Sequence, residues 1–256
     1  PNSLHYDQTR RALLAGKNVI CEKPFAPTRA QAEELAALAQ EKGLFLFVGI
    51  TTMYLPHLAL IREKLAEIGP VRQAACTFCQ YSSKYDALCA GGLPNVFNPA
   101  FAGGALMDIN LYNLYFAYGL FGVPEKLSYH AHKHANGIDT SGVLVLEYPD
   151  FVCQCTGAKD CQGDNGAVIL GEKGRIRVDG PASMCSRVTV VTADGEQAFD
   201  LQNGEPAWYF EMQGIAERVA AGDYADCYRR LADTVEVAGL LERARQDAGI
   251  VFPGIG

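Results

Sequence analysis

Short apolar runs and amphipathic segments alternate along the first fifty residues of the chain. Val19-Ile20-Cys21 and residues 44–48 are continuous apolar runs, which is the pattern of parallel strands buried on both faces. A helical pattern over residues 6–15 precedes the first run, and another begins near Thr28 and stops at Gly43. The order helix, strand, helix, strand predicts one half of a doubly wound parallel sheet.

Beyond residue 50 the pattern becomes that of a larger α+β unit. Its β-rich runs are separated by short turns, such as the one at residues 171–174, and short turns imply antiparallel neighbours. One long helix over residues 105–121 interrupts the runs, and two more close the chain at about residues 209–221 and 229–246. We therefore predict a mostly antiparallel open sheet flanked by helices. Its strands are expected at residues 71–81, 127–134, 143–148, 151–157, 167–170, 175–178, 187–191 and 198–201.

The first predicted strand leads directly into a candidate for chemistry. Lys23 stands at its carboxyl end, which is where ligands bind in open α/β sheets. Pro24 strengthens this interpretation, because a Lys-Pro bond can be cis at little cost and a rigid turn fixes the direction of the lysine stem. The alternative is an ordinary surface lysine that follows a strand.

A second candidate pair lies on the long interrupting helix. Asp108 and Tyr112 are four residues apart and therefore share a face, so that a carboxylate lies one turn from a phenol. Such a pair can serve as acid and base. The residues alone fit an alternative equally well, in which Asp108 complements the helix dipole and Tyr112 is a core aromatic with its hydroxyl outward.

Composition limits the classes of partner. Acidic residues number 29 and basic residues 22, which gives a net charge of −7 and no basic cluster that would indicate nucleic acid or an anionic membrane surface. The longest apolar run, at residues 43–50, is far too short for a membrane span. The nine cysteines are odd in number and fall within strand and helix patterns, which favours a reducing cytoplasm over a secreted disulfide scaffold.

Several residues have metal-like spacing, but we predict no metal site. Cys76 and Cys79 are three apart in a strand and therefore point to opposite faces. Cys153 and Cys155 share a face without a second ligand pair, so that packing explains them better. The histidines within residues 130–134 also share a face, and without further support for ligation we expect a solvated or substrate-adjacent sheet face.

Three stretches of the chain, at residues 16–26, 103–112 and 120–124, carry a family resemblance. The first contains Glu22-Lys23-Pro24, and the second runs from Gly103-Gly104 to Tyr112. Together they resemble the signature of the glucose-fructose oxidoreductase, inositol dehydrogenase and rhizopine-catabolism (Gfo/Idh/MocA) family of nicotinamide-dependent oxidoreductases. Because other branches carry histidine where this chain has tyrosine, the sequence is most similar to the dihydrodiol dehydrogenase-like branch.

The resemblance implies a domain organisation and a reaction. Residues 1–49 would form the carboxyl-terminal half of a Rossmann dinucleotide-binding domain, and residues 50–256 a substrate-binding and dimerisation domain. The implied activity is that of an NAD- or NADP-dependent oxidoreductase, which transfers a hydride between the nicotinamide and a sugar, polyol or related hydroxyl or carbonyl compound. The open antiparallel sheet is the implied surface for a homodimer or higher homo-oligomer.

The resemblance also implies that Lys23, Asp108 and Tyr112 surround the substrate carbon and the nicotinamide. A free tyrosine titrates near pH ~10, too high for a base at neutrality unless a nearby cation favours its phenolate. We expect Lys23 to be that cation, to lower the pKa of Tyr112 and to polarise the substrate oxygen. Tyr112 would then give or accept the proton, and Asp108 would orient the substrate hydroxyl.

The cofactor itself is expected to contact Asn2, His5, Glu22, Lys23 and Pro24, of which the first two belong to a loop that lies beside the ribose in the family. A strand followed by a Gly-x-Gly-x-x-Gly turn, which holds the pyrophosphate, does not occur in the sequence. We therefore expect an amino-terminally truncated chain. The missing glycine motif also favours an alternative, a non-catalytic sugar- or nucleotide-sensing or scaffold protein of the same fold.

Overall fold

A computed structural model describes residues 1–255, and the amino-terminal part of the chain is built on a short parallel sheet. Strands β1 (Val19–Glu22) and β2 (Leu46–Gly49) pair in parallel. Helix α1 (His5–Leu14) precedes the sheet, and α2 (Arg29–Glu41) connects its two strands. The predicted half of a doubly wound sheet is confirmed.

The other strands of the described residues form an eight-stranded sheet. They are β3 (Val71–Cys79), β4 (Lys126–Lys133), β5 (Asp139–Glu147), β6 (Val152–Ala158), β7 (Gly166–Gly171), β8 (Gly174–Asp179), β9 (Arg187–Thr192) and β10 (Gly195–Phe199). Their order across the sheet is β10, β9, β8, β7, β3, β6, β5, β4. Neighbours are antiparallel except β3 and β6, which run in parallel, so that the predicted mostly antiparallel sheet is confirmed.

Helices pack on the inner face of this sheet and on the parallel pair. A π-helix at Leu106–Asn110 leads into the helix that was predicted to interrupt the strands. The α-helices are α3 (Pro56–Lys64), α4 (Tyr85–Cys89), α5 (Leu111–Phe121), α6 (Ala207–Ala221) and α7 (Tyr224–Asp247), with short 3-10 helices at Asn2–Leu4, Thr51–Tyr54, Asn95–Phe97 and Pro99–Phe101. None of the helices within residues 1–255 is long and apolar enough to cross a bilayer.

Some elements begin at other residues than predicted. Helix α7 begins at Tyr224 rather than at 229, because the Asp223 side chain caps it by accepting a hydrogen bond from the backbone N–H of Asp226 at 3.0 Å. Strand β5 begins at Asp139 rather than at 143. Strand β10 begins at Gly195 rather than at 198, because only two residues separate it from β9.

One main hydrophobic core runs through both parts of the molecule. Leu114 and Phe116 of α5 are fully buried in it, and burying such a side chain contributes about 1.5–3 kcal/mol to stability. Helix α7 packs on α2, where Glu242 accepts a hydrogen bond from the backbone N–H of Arg29 at 2.9 Å. The division predicted after residue 49 stays a prediction, since the core is continuous across it.

The outer face of the large sheet is open. Along β5 and β6 the side chains alternate between core and surface, and Val145 and Gln154 lie opposite each other on the outer face. Val168 of β7 continues this row, and His130 and His132 of β4 lie exposed at its edge. The face therefore mixes half-exposed apolar side chains with polar ones.

Burial divides the cysteines into two classes whose reactivity should differ. Cys89 and Cys161 are exposed, and the other seven of the nine cysteines are buried. We expect an aromatic disulfide reagent to label two thiols rapidly in the folded chain and all nine after unfolding, because a thiolate reacts only where the reagent reaches it. Replacing Cys89 and Cys161 by Ser should remove the fast phase. Rapid labelling of a third thiol would contradict the burial.

Candidate active site

The site is organised around the lysine that follows β1. The peptide bond between Lys23 and Pro24 is cis. The Nζ atom of Lys23 donates to the backbone oxygen of Asp108 at 2.7 Å and to Asp108 Oδ1 at 3.0 Å. The strand end and the π-helix are thus joined by a charge-assisted pair.

Tyr112 lies one turn beyond Asp108 and faces the same lysine. The Nζ atom of Lys23 is 5.1 Å from the centroid of the Tyr112 ring, within the range of a cation–π interaction. The ring is also in contact with Phe78, at a centroid distance of 5.9 Å. The structure therefore brings together Lys23, Asp108 and Tyr112, as the sequence predicted from two distant stretches.

Lys159 completes this cluster and was missed by the sequence analysis. Its Nζ atom forms an ion pair with Asp108 Oδ2, and its side chain is only 10% exposed. Lys159 follows β6, a strand that runs in parallel with its neighbour β3, as Lys23 follows β1. The signal that singled out Lys23, a lysine after a continuous apolar run, is absent at Lys159, because apolar and polar residues alternate along β6.

Asp139 fixes the start of the helix that carries Asp108 and Tyr112. Its Oδ2 atom accepts hydrogen bonds from the backbone N–H of Leu106 at 2.6 Å and from the Tyr129 hydroxyl at 2.7 Å. Gly104 has a φ of +101°, and a Cβ there would overlap the Asp139 carboxylate, so that the close approach requires glycine. Burial raises the pKa of Asp139 to about 6, against the effect of the donors around it.

Two asparagines dock the same helix on the sheet. Asn110 Nδ2 donates to the backbone oxygen of Cys155 at 3.1 Å, and Asn113 Nδ2 donates to the backbone oxygen of Thr156 at 2.9 Å. A Cβ at Gly157 would overlap Asn110, which explains glycine at this point of β6. These contacts set the height of Asp108 and Tyr112 above the strand ends.

The predicted cofactor-contacting residues lie along β1 and the segment before α1. Asn2 Nδ2 donates to the backbone oxygen of Ala102 at 2.8 Å, and His5 Nδ1 lies 2.8 Å from the backbone oxygen of Pro24. His5 and Glu22 line a cavity of about 280 Å³ beside β1. Their contact with a cofactor stays a prediction.

Glu211 of α6 is a further carboxyl group near the site that sequence reasoning missed. Burial raises its pKa to about 7, the charge of Glu22 adds to the shift, and a backbone hydrogen bond from Ile50 opposes it. Its Oε1 atom is buried and has no hydrogen-bond partner among the described residues. No motif marks this glutamate, because it comes near Glu22 only through the packing of α6.

The structure corrects the expected effect of Lys23 on the tyrosine. Burial raises the pKa of Tyr112, and the carboxylates of Asp108, Glu22 and Glu211 add to the shift. The ammonium of Lys23 lies over the ring and donates its hydrogen bonds to Asp108. The prediction that Lys23 lowers this pKa is therefore wrong, and the phenol is protonated at neutral pH.

Three sulfur atoms meet where the sequence suggested two separate pairs. The Sγ atoms of Cys76, Cys153 and Cys155 all lie within 4.8 Å of one another and are buried. The sequence linked Cys76 to Cys79 instead, because the parallel pairing of β3 with β6 is not visible in it. That these cysteines serve packing stays a prediction.

Comparison with known proteins shows the family. The model of the oxidoreductase family with an NAD-binding Rossmann fold (GFO_IDH_MocA) matches residues 1–50, and that of the GFO/IDH/MocA C-terminal domain matches residues 59–177. The scyllo-inositol 2-dehydrogenase (NADP(+)) IolU of Bacillus subtilis is 32% identical over 254 residues, which cover 99% of this chain and 77% of that protein. The chain belongs to the Gfo/Idh/MocA family. The resemblance inferred from its three stretches is confirmed.

Further Gfo/Idh/MocA relatives agree with the predicted branch. The uncharacterized oxidoreductase YgjR of Escherichia coli is 36% identical over 255 residues, or 99% of this chain and 76% of that protein. The human trans-1,2-dihydrobenzene-1,2-diol dehydrogenase is 30% identical over 258 residues, or 94% of this chain and 73% of the enzyme. The similarity to this human enzyme supports the dihydrodiol dehydrogenase-like branch.

Solved structures share the Gfo/Idh/MocA fold with this chain. KijD10, a 3-ketoreductase from Actinomadura kijaniata in complex with TDP-benzene and NADP, superposes with a TM-score of 0.81 at 23% identity, over 96% of this chain and 75% of that one. The aldose-aldose oxidoreductase from Caulobacter crescentus gives a TM-score of 0.81 at 23% identity, over 97% of this chain and 75% of that one. The predicted fold class is confirmed.

The burial of Asp139 predicts how the stability of this Gfo/Idh/MocA chain changes with pH. Its folded-state pKa of about 6 lies above the ordinary value of 3.8, so the folded chain holds the proton that the unfolded chain releases. The stabilisation from this proton is fully present below pH ~4 and is lost as the pH rises through about 6. The free energy of unfolding should fall by about 3 kcal/mol over this range.

Urea unfolding at pH 4 to 7 measures this slope. In Asp139→Asn the contribution should vanish, so the difference in unfolding free energy between the wild type and the variant should change across that window. Asp179→Asn, at an exposed ion pair with Arg177, is the matched control and should leave the slope intact. Parallel curves for wild type and Asp139→Asn would contradict the assignment.

Proposed function

We propose that the chain is an NAD- or NADP-dependent oxidoreductase that transfers a hydride between the nicotinamide and a hydroxyl or carbonyl carbon of a sugar- or polyol-like compound. The observation that carries this proposal is the assembly of Lys23, Asp108 and Tyr112 at the carboxyl end of β1. One fold hosts many reactions, so the activity is inferred from this site together with the family.

The residues around β1 fit the nicotinamide end of the cofactor. They lie at the carboxyl end of a parallel strand, beside the cavity that His5 and Glu22 line. Asn2, His5, Glu22, Lys23 and Pro24 would hold the nicotinamide and its ribose with amide, imidazole and charged groups. The bound cofactor would supply or accept the hydride.

The side chains of the protein itself hold the reacting oxygen and move its proton. Because the raised pKa of Tyr112 keeps its hydroxyl protonated, this hydroxyl can give a proton to a carbonyl oxygen. The ammonium of Lys23 polarises the same oxygen and stabilises the phenolate that remains. The carboxylate of Asp108 accepts a neighbouring hydroxyl of the substrate and orients it.

The donors and acceptors of the site suit a polyhydroxylated substrate. Asp108 and Glu211 offer carboxyl oxygens, and Lys23 and Lys159 offer ammonium donors, so that adjacent hydroxyls can each find a partner. Two relatives are named as dehydrogenases of scyllo-inositol and of trans-1,2-dihydrobenzene-1,2-diol, which are ring compounds with vicinal hydroxyls. They support a cyclic polyol or sugar as the substrate class.

The alternative of a non-catalytic sensing or scaffold protein is less well supported. A sensing protein needs a pocket for its ligand but no proton donor aligned with a lysine. The Tyr112 ring and the Lys23 ammonium are in contact, and both face Asp108. This arrangement favours catalysis.

We also propose a homodimer and a cytoplasmic location. The mixed apolar and polar outer face of the large sheet, with Val145 and Val168 half-exposed, supports self-association through that face. The nine cysteines, all free within the described chain, support a reducing compartment.

The tyrosine assignment is tested by Tyr112→Phe. We expect kcat to fall by about 100- to 10,000-fold, because the variant lacks the proton donor. The affinity for NADH or NADPH, measured by fluorescence titration, should change less than about twofold, because the ring and its contact with Lys23 remain. Initial rates with scyllo-inositol, sugars and ring diols supply kcat and KM.

Tyr118→Phe is the matched control for this test. Tyr118 lies on the same helix, and its hydroxyl donates to Asp233 at 2.9 Å, away from the site. The kcat of Tyr118→Phe should stay within about twofold of the wild-type value. An equal loss of turnover and cofactor affinity in Tyr112→Phe would sink the assigned role.

The dimer proposal predicts a change of mass on charging the open face. Light scattering after size exclusion should give twice the chain mass for the wild type and the chain mass for Val145→Lys/Val168→Lys, because two facing ammonium pairs oppose contact. Val251→Lys, at an exposed apolar residue outside the sheet, should leave the mass unchanged. A monomeric wild type would refute the dimer.

A further inference from the structure

Lys159 is nearly enclosed, and its charge is directed at one carboxylate. The residue is 8% exposed, and its backbone N–H donates to the Thr140 oxygen at 2.8 Å, which continues the strand pairing beyond β6. From this fixed backbone the side chain reaches Asp108 Oδ2. A buried lysine that ends at a carboxylate is held by that ion pair rather than by solvent.

The charged groups around Asp108 divide its oxygen atoms between two lysines. Lys23 takes Oδ1 and the backbone oxygen, whereas Lys159 takes Oδ2. Asp160, next in sequence, accepts from the hydroxyls of Thr140 at 2.6 Å and Ser141 at 2.9 Å instead. Asp108 is therefore the carboxylate partner of Lys159 among the described ion pairs.

Catalysis gives Lys23 a second task that competes with this pair. In the proposed function its ammonium turns to the reacting oxygen and weakens its contact with Asp108. A half-buried carboxylate without a cation tends to take up a proton and would lose its value as an acceptor for the substrate hydroxyl. The second lysine removes this conflict, since it can stay on Oδ2 throughout.

We propose that Lys159 is a positioning residue that keeps Asp108 ionised and aimed at the substrate while Lys23 engages the reacting oxygen. The inference rests on the proposed function, and it divides the work between the two lysines. Lys23 exchanges partners during the reaction, and Lys159 does not. Arginine at this position would retain the charge, and methionine would retain only the stem.

The electrostatic balance at Asp108 is in agreement with this division. Burial raises the pKa of Asp108, but the charges of Lys23 and Lys159 outweigh burial and hold it below its ordinary value. Tyr112 on the same helix, Glu22 beside Lys23 and Glu211 of α6 are the other titratable groups near this region. None of them supplies the positive charge that the carboxylate needs.

The first readout needs no turnover. Carbon-13 NMR of the aspartate carboxyls in the protein alone follows Asp108, whose signal is assigned by its loss in Asp108→Asn. In Lys159→Met the titration midpoint of Asp108 should rise by about one unit. In Lys159→Arg it should stay close to the wild type. An unchanged midpoint in Lys159→Met overturns the proposal.

The second readout is the rate. Lys159→Met should lower kcat by about 100-fold with a smaller change in KM, move the acid limb of the pH profile upward, and be partly rescued in Lys159→Arg. In an Asp108→Asn background Lys159→Met should add little, because the two residues act as one unit. If the losses of kcat in Lys159→Met and Asp108→Asn add in the double variant, Lys159 has only a structural role. The same follows if Lys159→Met lowers the melting temperature but leaves the pH profile unchanged.

Lys64→Met is the matched control. Lys64 is also largely enclosed, pairs with Glu67 at 2.7 Å and lies over the Phe199 ring, outside the site. Its replacement should leave the midpoint of Asp108 and the pH profile unchanged. If Tyr112→Phe proves fully active while the midpoint of Asp108 still rises in Lys159→Met, the proposed function fails and the charge coupling stands.

Discussion

The rest of the site depends on the ion pairs that the Asp108 carboxylate forms with Lys23 and Lys159. Its two oxygens join the end of β1, through Lys23, to the end of β6, through Lys159, so that the parallel sheet and the large sheet meet at one group. A carboxylate this enclosed is costly without partners, and each lysine offsets part of that cost. The two ion pairs therefore hold the three side chains in one arrangement.

The helix that carries Asp108 is fixed independently at its start and along its length. Asp139 holds its first turn through the backbone N–H of Leu106, and the amides of Asn110 and Asn113 hold its inner side against β6. Buried polar groups of this kind are costly when left unpaired, so that each bond restricts the positions the helix can take. The geometry of the Asp108 cluster is thus set by buried neighbours that lie outside the cluster.

The sequence predicted those parts of the site that are local in the chain. A lysine after an apolar strand and a four-residue spacing on a helix are visible as patterns, and they found Lys23, Asp108 and Tyr112. Lys159 and Glu211 were missed because their meeting with the site depends on strand order and on the packing of α6. The shift in the pKa of Tyr112 was predicted in the wrong direction. The sequence does not show that the Lys23 ammonium donates its hydrogen bonds to Asp108 rather than to the tyrosine hydroxyl.

The same reason explains why the fold was easier to predict than the site. Strands and helices have side-chain periods of 2 and 3.6 residues, and these periods can be recognised within a short local stretch of sequence. By contrast, Asp139 lies outside every strand predicted from the sequence, although it begins β5 and is fully buried. Its polarity is explained only by the donors of Leu106 and Tyr129, which come from elsewhere in the chain.

The π-helix at Leu106–Asn110 links this architecture to the chemistry. A carbonyl in a regular α-helix points along the axis toward a backbone N–H four residues on, whereas a wider π-turn loosens that pairing and is common at functional sites. Here the backbone oxygen of Asp108 accepts a bond from Lys23 at 2.7 Å, beside the bond to Oδ1 of the same residue. Lys23 is therefore oriented by backbone and side chain together. The backbone bond does not depend on the ionisation of Asp108, so it orients Lys23 whether or not the carboxylate is charged.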